Sequence, residues 1–163
     1  MQGWRNTMED AHICELDLGD GVSFFGVYDG HGGKRELLAI IIWSITICVG
    51  HEIAYFVQDH LIQELKALQS FKEKDYEKAL KDVYLKMDEM IQTKDGKEKL
   101  KGYNSKGKKG EMSEFEENAM DQIAHGAGCT ACSALITPTD IYVANAGDSR
   151  AVIGKKVGDK YIS

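Results

Sequence analysis

Two helical stripes set between two groups of strand-like runs restrict the fold of this chain most. From Glu52 to Phe71, apolar residues fall at Ile53, Val57, Leu61, Leu65 and Leu68, with Ala54 and Ile62 beside them. That spacing predicts a helix with one buried stripe. Asp75 to Gln92 repeats it with Tyr76, Leu80, Val83, Met87 and Met90 or Ile91, and Asp75 is placed to cap the helix. The methionines and tyrosines of these stripes are expected in the core. A short connection joins the two helices, so they are expected to form an antiparallel pair lying on a sheet.

The flanking segments supply that sheet. Ala11 to Leu16 and Val22 to Tyr28 are strand-like and are separated by the turn Asp17-Leu18-Gly19-Asp20-Gly21, which predicts a hairpin. After the helices come a β-compatible run from Cys129 to Thr137, a turn at Pro138-Thr139-Asp140, and a strand from Ile141 to Ala146. A further strand is expected to begin at Arg150 to Ile153, before a turn at Gly154 to Asp159. Strands, two helices, then strands indicate an α+β layered domain with an antiparallel sheet.

Two segments break the pattern. Lys94 to Asn118 is rich in Gly and Lys up to Gly110, then acidic from Glu111 to Glu117. No stripe is evident, so a flexible charged loop is expected at about 94–118, with a docking role for its lysines as the alternative. Leu37 to Val49 is almost wholly apolar but too short for a comfortable membrane span, which needs about 20 residues. Its β-branched richness favours a buried strand, although periodicity alone does not separate strand from helix.

The net charge of −6 argues against a nucleic-acid partner, because a phosphate backbone demands a basic patch. It suits a carboxylate-rich site for hard cations. Met1 to Asp10 is polar and unlike a signal peptide, and the four cysteines are expected as free thiols in a reducing compartment. Cys129-x-x-Cys132 has no second Cys pair or nearby His to complete a zinc site. On a strand, residues three apart face opposite sides.

The chemistry concentrates at strand ends. Asp29-Gly30-His31-Gly32-Gly33 directly follows the run Val22 to Tyr28, which puts a carboxylate, an imidazole and three glycines at the end of a strand. The bland alternative is an ordinary Gly-rich turn. Glu9-Asp10 precedes the first strand and Asp148 ends a late one. Oxygen ligands of this kind suit Mg²⁺ or Mn²⁺, although adjacent acids such as Glu9-Asp10 are most often a solvated pair. Arg5 could pair with the carboxylates or hold an anionic substrate, since its planar fork matches two phosphate oxygens. His31 has the chemistry of a general acid near neutrality, though a lone histidine is more often structural.

Four segments occur in order: Gly3-Trp4-Arg5-Asn6-Thr7-Met8-Glu9-Asp10-Ala11-His12, Phe25 to Gly33, Gly128-Cys129-Thr130-Ala131, and Ala144 to Val152. Together they resemble the metal-dependent protein serine/threonine phosphatases of the 2C type, over the chain from Gly3 to about Ser163. The resemblance implies a β-sandwich flanked by antiparallel helix pairs, with a binuclear Mg²⁺ or Mn²⁺ site at one end. It implies that Asp29 bridges the two metals and that the Gly30 carbonyl ligates one. It implies that Glu9 and Asp10 hold the cluster directly or through water, and that Asp148 helps to hold a third, weaker metal. Arg5 would grip the phosphate of a phosphoprotein and His31 would protonate the leaving Ser or Thr oxygen. Thr130 would pack beneath the site. An intracellular location, cytoplasmic or nuclear, is expected.

The chain departs from the family in three places. Only Met1 and Gln2 precede Gly3, where the family has a strand. Lys34 to Gly50 intervenes between the Gly-rich segment and the helix start at His51-Glu52-Ile53-Ala54. It is either foreign to the fold, such as a translated intron, or a lid or membrane-contact loop. The family's two downstream aspartates have no counterpart before Ser163, so the domain is expected to be partial. By itself it is expected to turn over little substrate, or to be a non-catalytic fragment that binds a phosphoprotein or another partner.

Overall fold

The computed structural model describes Trp4 and residues 8–32, 50–103, 127–158 and 160–162. In chain order its elements are β1 (Asp10–Glu15), β2 (Ser23–Gly32), α1 (Gly50–Ala67), α2 (Gln69–Lys72), α3 (Tyr76–Gln92), α4 (Lys94–Lys101), β3 (Ala127–Cys129), β4 (Ala131–Ile136), β5 (Ile141–Ala146), β6 (Lys155–Val157) and β7 (Lys160–Ile162). The main sheet runs β1-β2-β4-β5, with β3 on the last residues of β2, and every pairing is antiparallel. The fold is α+β, as the element order predicts.

The β1–β2 turn follows from its residues. Gly19, Asp20 and Gly21 all take positive φ, at 102°, 54° and 73°. Asp17 Oδ1 accepts the Gly19 N–H at 2.8 Å. Beyond the turn, alternation sorts the side chains. Ala11, Phe24, Tyr28, Ser133 and Leu135 are buried on the face that meets the helices. Val27, Ile141 and Val143 lie on the other face, 51%, 53% and 54% exposed. Among the described residues the main sheet therefore carries helices on one side, and β6 and β7 pair as a separate two-stranded sheet.

The helices land on that sheet by their predicted stripes. Ile53, Ala54, Val57, Leu61 and Leu65 of α1 are buried, as are Tyr76, Leu80, Val83 and Met87 of α3. Phe56 joins them fully buried and edge-on to His60, with ring centroids 4.5 Å apart. Asp75 caps α3, accepting the Lys78 N–H at 3.2 Å. Where the helix layer meets the sheet, the Tyr84 hydroxyl lies 2.8 Å from Ser133 Oγ and 3.2 Å from the Ala144 carbonyl oxygen. Tyr28 reaches the same Ser133 hydroxyl at 3.3 Å.

Three expectations are corrected. Residues 94–101 are helix α4 rather than loop: Thr93 Oγ1 accepts the Gly96 N–H at 3.0 Å and Leu100 is buried. One apolar anchor behind a capping threonine is too small a pattern to stand out among lysines. Residues 104–118 of the expected loop lie outside the described residues. Arg150–Ile153 is not a strand. Pairing ends at Ala131↔Ala146, and Gly147, at φ 107°, turns the chain away, leaving Val152 and Ile153 exposed. The strand expected from Val22 to Tyr28 runs on to Gly32, so Asp29–Gly32 is the end of β2 and not the ordinary Gly-rich turn of the bland alternative. Asp29 is the last partner of β1, and Gly30, His31 and Gly32 pair with Cys129, Gly128 and Ala127.

Of the unusual Lys34 to Gly50 segment, only Gly50 is described, as the first residue of α1. The apolar run Leu37 to Val49 lies outside the described residues. Among those described, no helix is long and apolar enough to cross a membrane.

Leu61 is fully buried between helix and sheet. Leu61→Ala is expected to lower the unfolding free energy by about 2–5 kcal/mol, through lost transfer energy and the cavity left behind, as measured by urea denaturation.

Candidate metal centre

Strand register brings the acidic residues together. Asp10 and Asp29 are direct partners across β1 and β2. Both are half-buried and lie on the sheet face turned away from the helices. Carboxylates placed opposite one another in this way repel unless a cation or a basic group lies between them. The Gly30 N–H donates to the Glu9 carbonyl oxygen at 3.0 Å, which holds Glu9 at the same end of the ladder.

A second set of contacts reaches Asp29 from distant sequence. The Asp29 carbonyl oxygen accepts the Thr130 N–H at 2.8 Å. The Asp29 N–H donates to Thr130 Oγ1 at 3.1 Å, across 101 residues of chain. Thr130 sits between β3 and β4, and its hydroxyl also lies 2.8 Å from Ser149 Oγ, next to Asp148. Asp148 itself is exposed. Glu9, Asp10, Asp29 and Gly30 are thus gathered by pairing, and Asp148 is tethered to them through Ser149 and Thr130.

His31 follows on β2, exposed and opposite Gly128. A Cβ at Gly128 would come within 3.2 Å of His31 Cε1, so glycine there leaves room for the imidazole. Packing requires that Gly30 carry no side chain. A Cβ on Gly30 would collide with the backbone of Gly50, and one on Gly50 would lie 2.7 Å from the His31 nitrogen. The start of α1 therefore rests directly on the Gly30–His31 backbone. Arg5 and Gly33 lie outside the described residues.

Burial behind this contact creates an unusual carboxyl. Glu52, in the first turn of α1, is 3% exposed. Its Oε1 lies 3.3 Å from His51 Nε2, and its Oε2 has no hydrogen-bond partner among the described residues. Burial raises its pKa from 4.5 to about 7, against a smaller lowering by its own backbone. Cys129 is half-buried, and its desolvation pushes the thiol up to about 12 and leaves it a poor nucleophile or metal ligand. Cys129 packs towards the core, while Cys132 pairs with Val27 on the far side of the sheet, so the two thiols diverge.

The donors suit a hard cation, being carboxylates with carbonyl oxygens nearby. Among the described residues, no three acidic, histidine or cysteine side chains converge to cage a metal, so these residues offer part of such a site. Glu52, Thr130's double contact and Ser149 emerge as site residues only in three dimensions. Glu52 had one sequence signal, its place in the first turn of a helix that follows the Gly-rich segment.

A family model described as Protein phosphatase 2C matches residues 44–163. "Probable protein phosphatase 2C 3" and "Protein phosphatase 2C 1" of Paramecium tetraurelia are each 44% identical over 153 residues, covering 94% of this chain and 41% of the relative. "Probable protein phosphatase 2C 21" of Arabidopsis thaliana is 36% identical, covering 96% of this chain and 45% of its own. The chain belongs to the protein phosphatase 2C family, a family of metal-dependent serine/threonine phosphatases. It spans about two fifths of the length of these relatives.

Thr130→Val would leave the Asp29 N–H without its acceptor and is expected to cost about 1–3 kcal/mol of stability, with Thr130→Ser retaining most of it by the same denaturation assay. Glu52 makes stability depend on pH. Between pH 4.5 and about 7 the folded protein holds a proton that the unfolded chain has released, so stability falls as pH rises through this window. Urea midpoints taken across it should show that decline in the native protein and a flatter profile in Glu52→Gln.

Proposed function

We propose that the protein hydrolyses phosphoserine and phosphothreonine in phosphoproteins in a Mg²⁺- or Mn²⁺-dependent reaction. The observation that carries this reading is the β1–β2 register, which sets Asp10 opposite Asp29 on one sheet face with Glu9 held beside Gly30. Glu9, Asp10, Asp29, the Gly30 carbonyl and Asp148 would hold two cations and a third, weaker one. When bound, the cations would acidify a water and offset charge on the phosphoryl oxygens.

The remaining roles fall to this chain's own side chains. Asp29 supplies a carboxylate whose backbone is pinned on both N–H and C=O by Thr130. His31, two residues further along β2 and open to solvent, would donate a proton to the departing Ser or Thr oxygen. Arg5 would pair with the phosphate through its planar fork. Cys14, Cys129 and Cys132 are free thiols, which suits a reducing compartment, and we place the protein in the cytoplasm or nucleus.

The test is phosphate release from a phosphoserine peptide by the protein. Turnover with Mn²⁺ that disappears in EDTA is expected. Asp29→Asn is expected to lower kcat/KM by about a hundredfold or more, as loss of a cation ligand should. Turnover that persists in EDTA, or an Asp29→Asn variant at the native rate, would overturn the reading.

A further inference from the structure

The segment that carries Asp148 is held from both sides by one residue. Gly147, at φ 107°, packs against the Thr130 side chain so closely that a Cβ there would lie 2.9 Å from Thr130 Cγ2. Ser149 Oγ meets Thr130 Oγ1 at 2.8 Å. The two neighbours of Asp148 in sequence therefore both rest on Thr130, one on its methyl and one on its hydroxyl. Thr130 is 5% exposed and in turn grips Asp29 by two hydrogen bonds.

The hydroxyl chemistry makes this a connected chain. Thr130 Oγ1 accepts the Asp29 N–H and has one proton and one further lone pair to share with Ser149. A hydroxyl at 149 can donate to it or accept from it. A methyl can do neither, which would free the Thr130 hydroxyl to rotate away from the Asp29 amide.

We propose that Ser149 is a positioning residue that braces Asp148 against Asp29 through Thr130, so that the two carboxylates keep a fixed relation when cations bind. The proposal rests on the phosphatase reading for its cation, but its geometric half is measurable without one. Outer-shell partners of this kind typically change metal affinity 10- to 100-fold when removed.

The experiment uses the full chain, native and with Ser149→Ala, Ser149→Cys or Ser149→Thr. Amide hydrogen exchange at Asp29 is followed by NMR in EDTA, and Mn²⁺ binding is followed by calorimetry. Unchanged protection at Leu61 and Val83 confirms that each variant is folded, and Ser149→Cys serves if Ser149→Ala is not. Ser149→Ala is expected to exchange the Asp29 amide about tenfold faster and to bind Mn²⁺ about tenfold more weakly, with Ser149→Thr close to native in both. Unchanged Asp29 exchange in a folded variant overturns the brace. Faster exchange with undiminished Mn²⁺ affinity overturns the positioning role, because the contact is then merely structural. If the native chain binds no Mn²⁺ yet Ser149→Ala still exchanges faster, the brace stands and the cation-dependent phosphatase reading fails.

Discussion

The exchange of hydrogen bonds between Asp29 and Thr130 is the interaction on which the site depends. Each main-chain group of Asp29 is satisfied by Thr130, one by its N–H and one by its hydroxyl. Asp29 is also where one edge of β2 changes partner, leaving β4 after Val27 and taking up β3 at Gly30. At such a switch a backbone would otherwise lose its ladder, and the polar groups left behind would be costly where they are half-buried. One threonine at the break between β3 and β4 supplies the missing partners. The strand can therefore continue through Asp29 to Gly32 instead of turning, and the carboxylate is presented from rigid sheet.

The second constraint is the contact of α1 with the Gly30–His31 backbone. Two glycines face one another there, and a side chain on either would force the helix away. The same approach buries His51 and Glu52 and shifts the proton affinity of Glu52 towards neutrality. Packing of the helix layer and the electrostatics beside the acidic cluster are thus set by one backbone crossing. The covered sheet face and the face bearing Asp10 and Asp29 then do different work. The first holds Phe24, Tyr28 and Leu135 against the helices, and the second carries the carboxylates with Val27 and Val143 alongside.

Much of the fold was legible because it is local. The stripes of α1 and α3 repeat every three to four residues, and the buried side chains are those that the stripes contain, apart from His51, Glu52, Phe56 and Ala79. Asp75 signalled its cap by type and position. The hairpin announced itself through Gly19, Asp20 and Gly21. What escaped was weakly patterned or non-local. Helix α4 has one buried apolar residue, Leu100, and no stripe. The extension of β2 through Gly30 and Gly32 ran against glycine's poor strand preference and was decided by pairing with β3.

The sequence by itself determined the α+β class and the helix faces, and it supplied the carboxylates, arginine and histidine on which the proposed phosphatase chemistry rests. It could do so because periodicity, capping and motif order depend on neighbours along the chain. Only the tertiary structure decided that Asp10 stands opposite Asp29, that Gly30 yields its space to a helix, that Glu52 is buried, and that Ser149 and Thr130 tie Asp148 to Asp29. Those facts join residues tens to a hundred positions apart. They rest on register, burial and hydrogen-bond satisfaction, which exist only once the sheet is assembled.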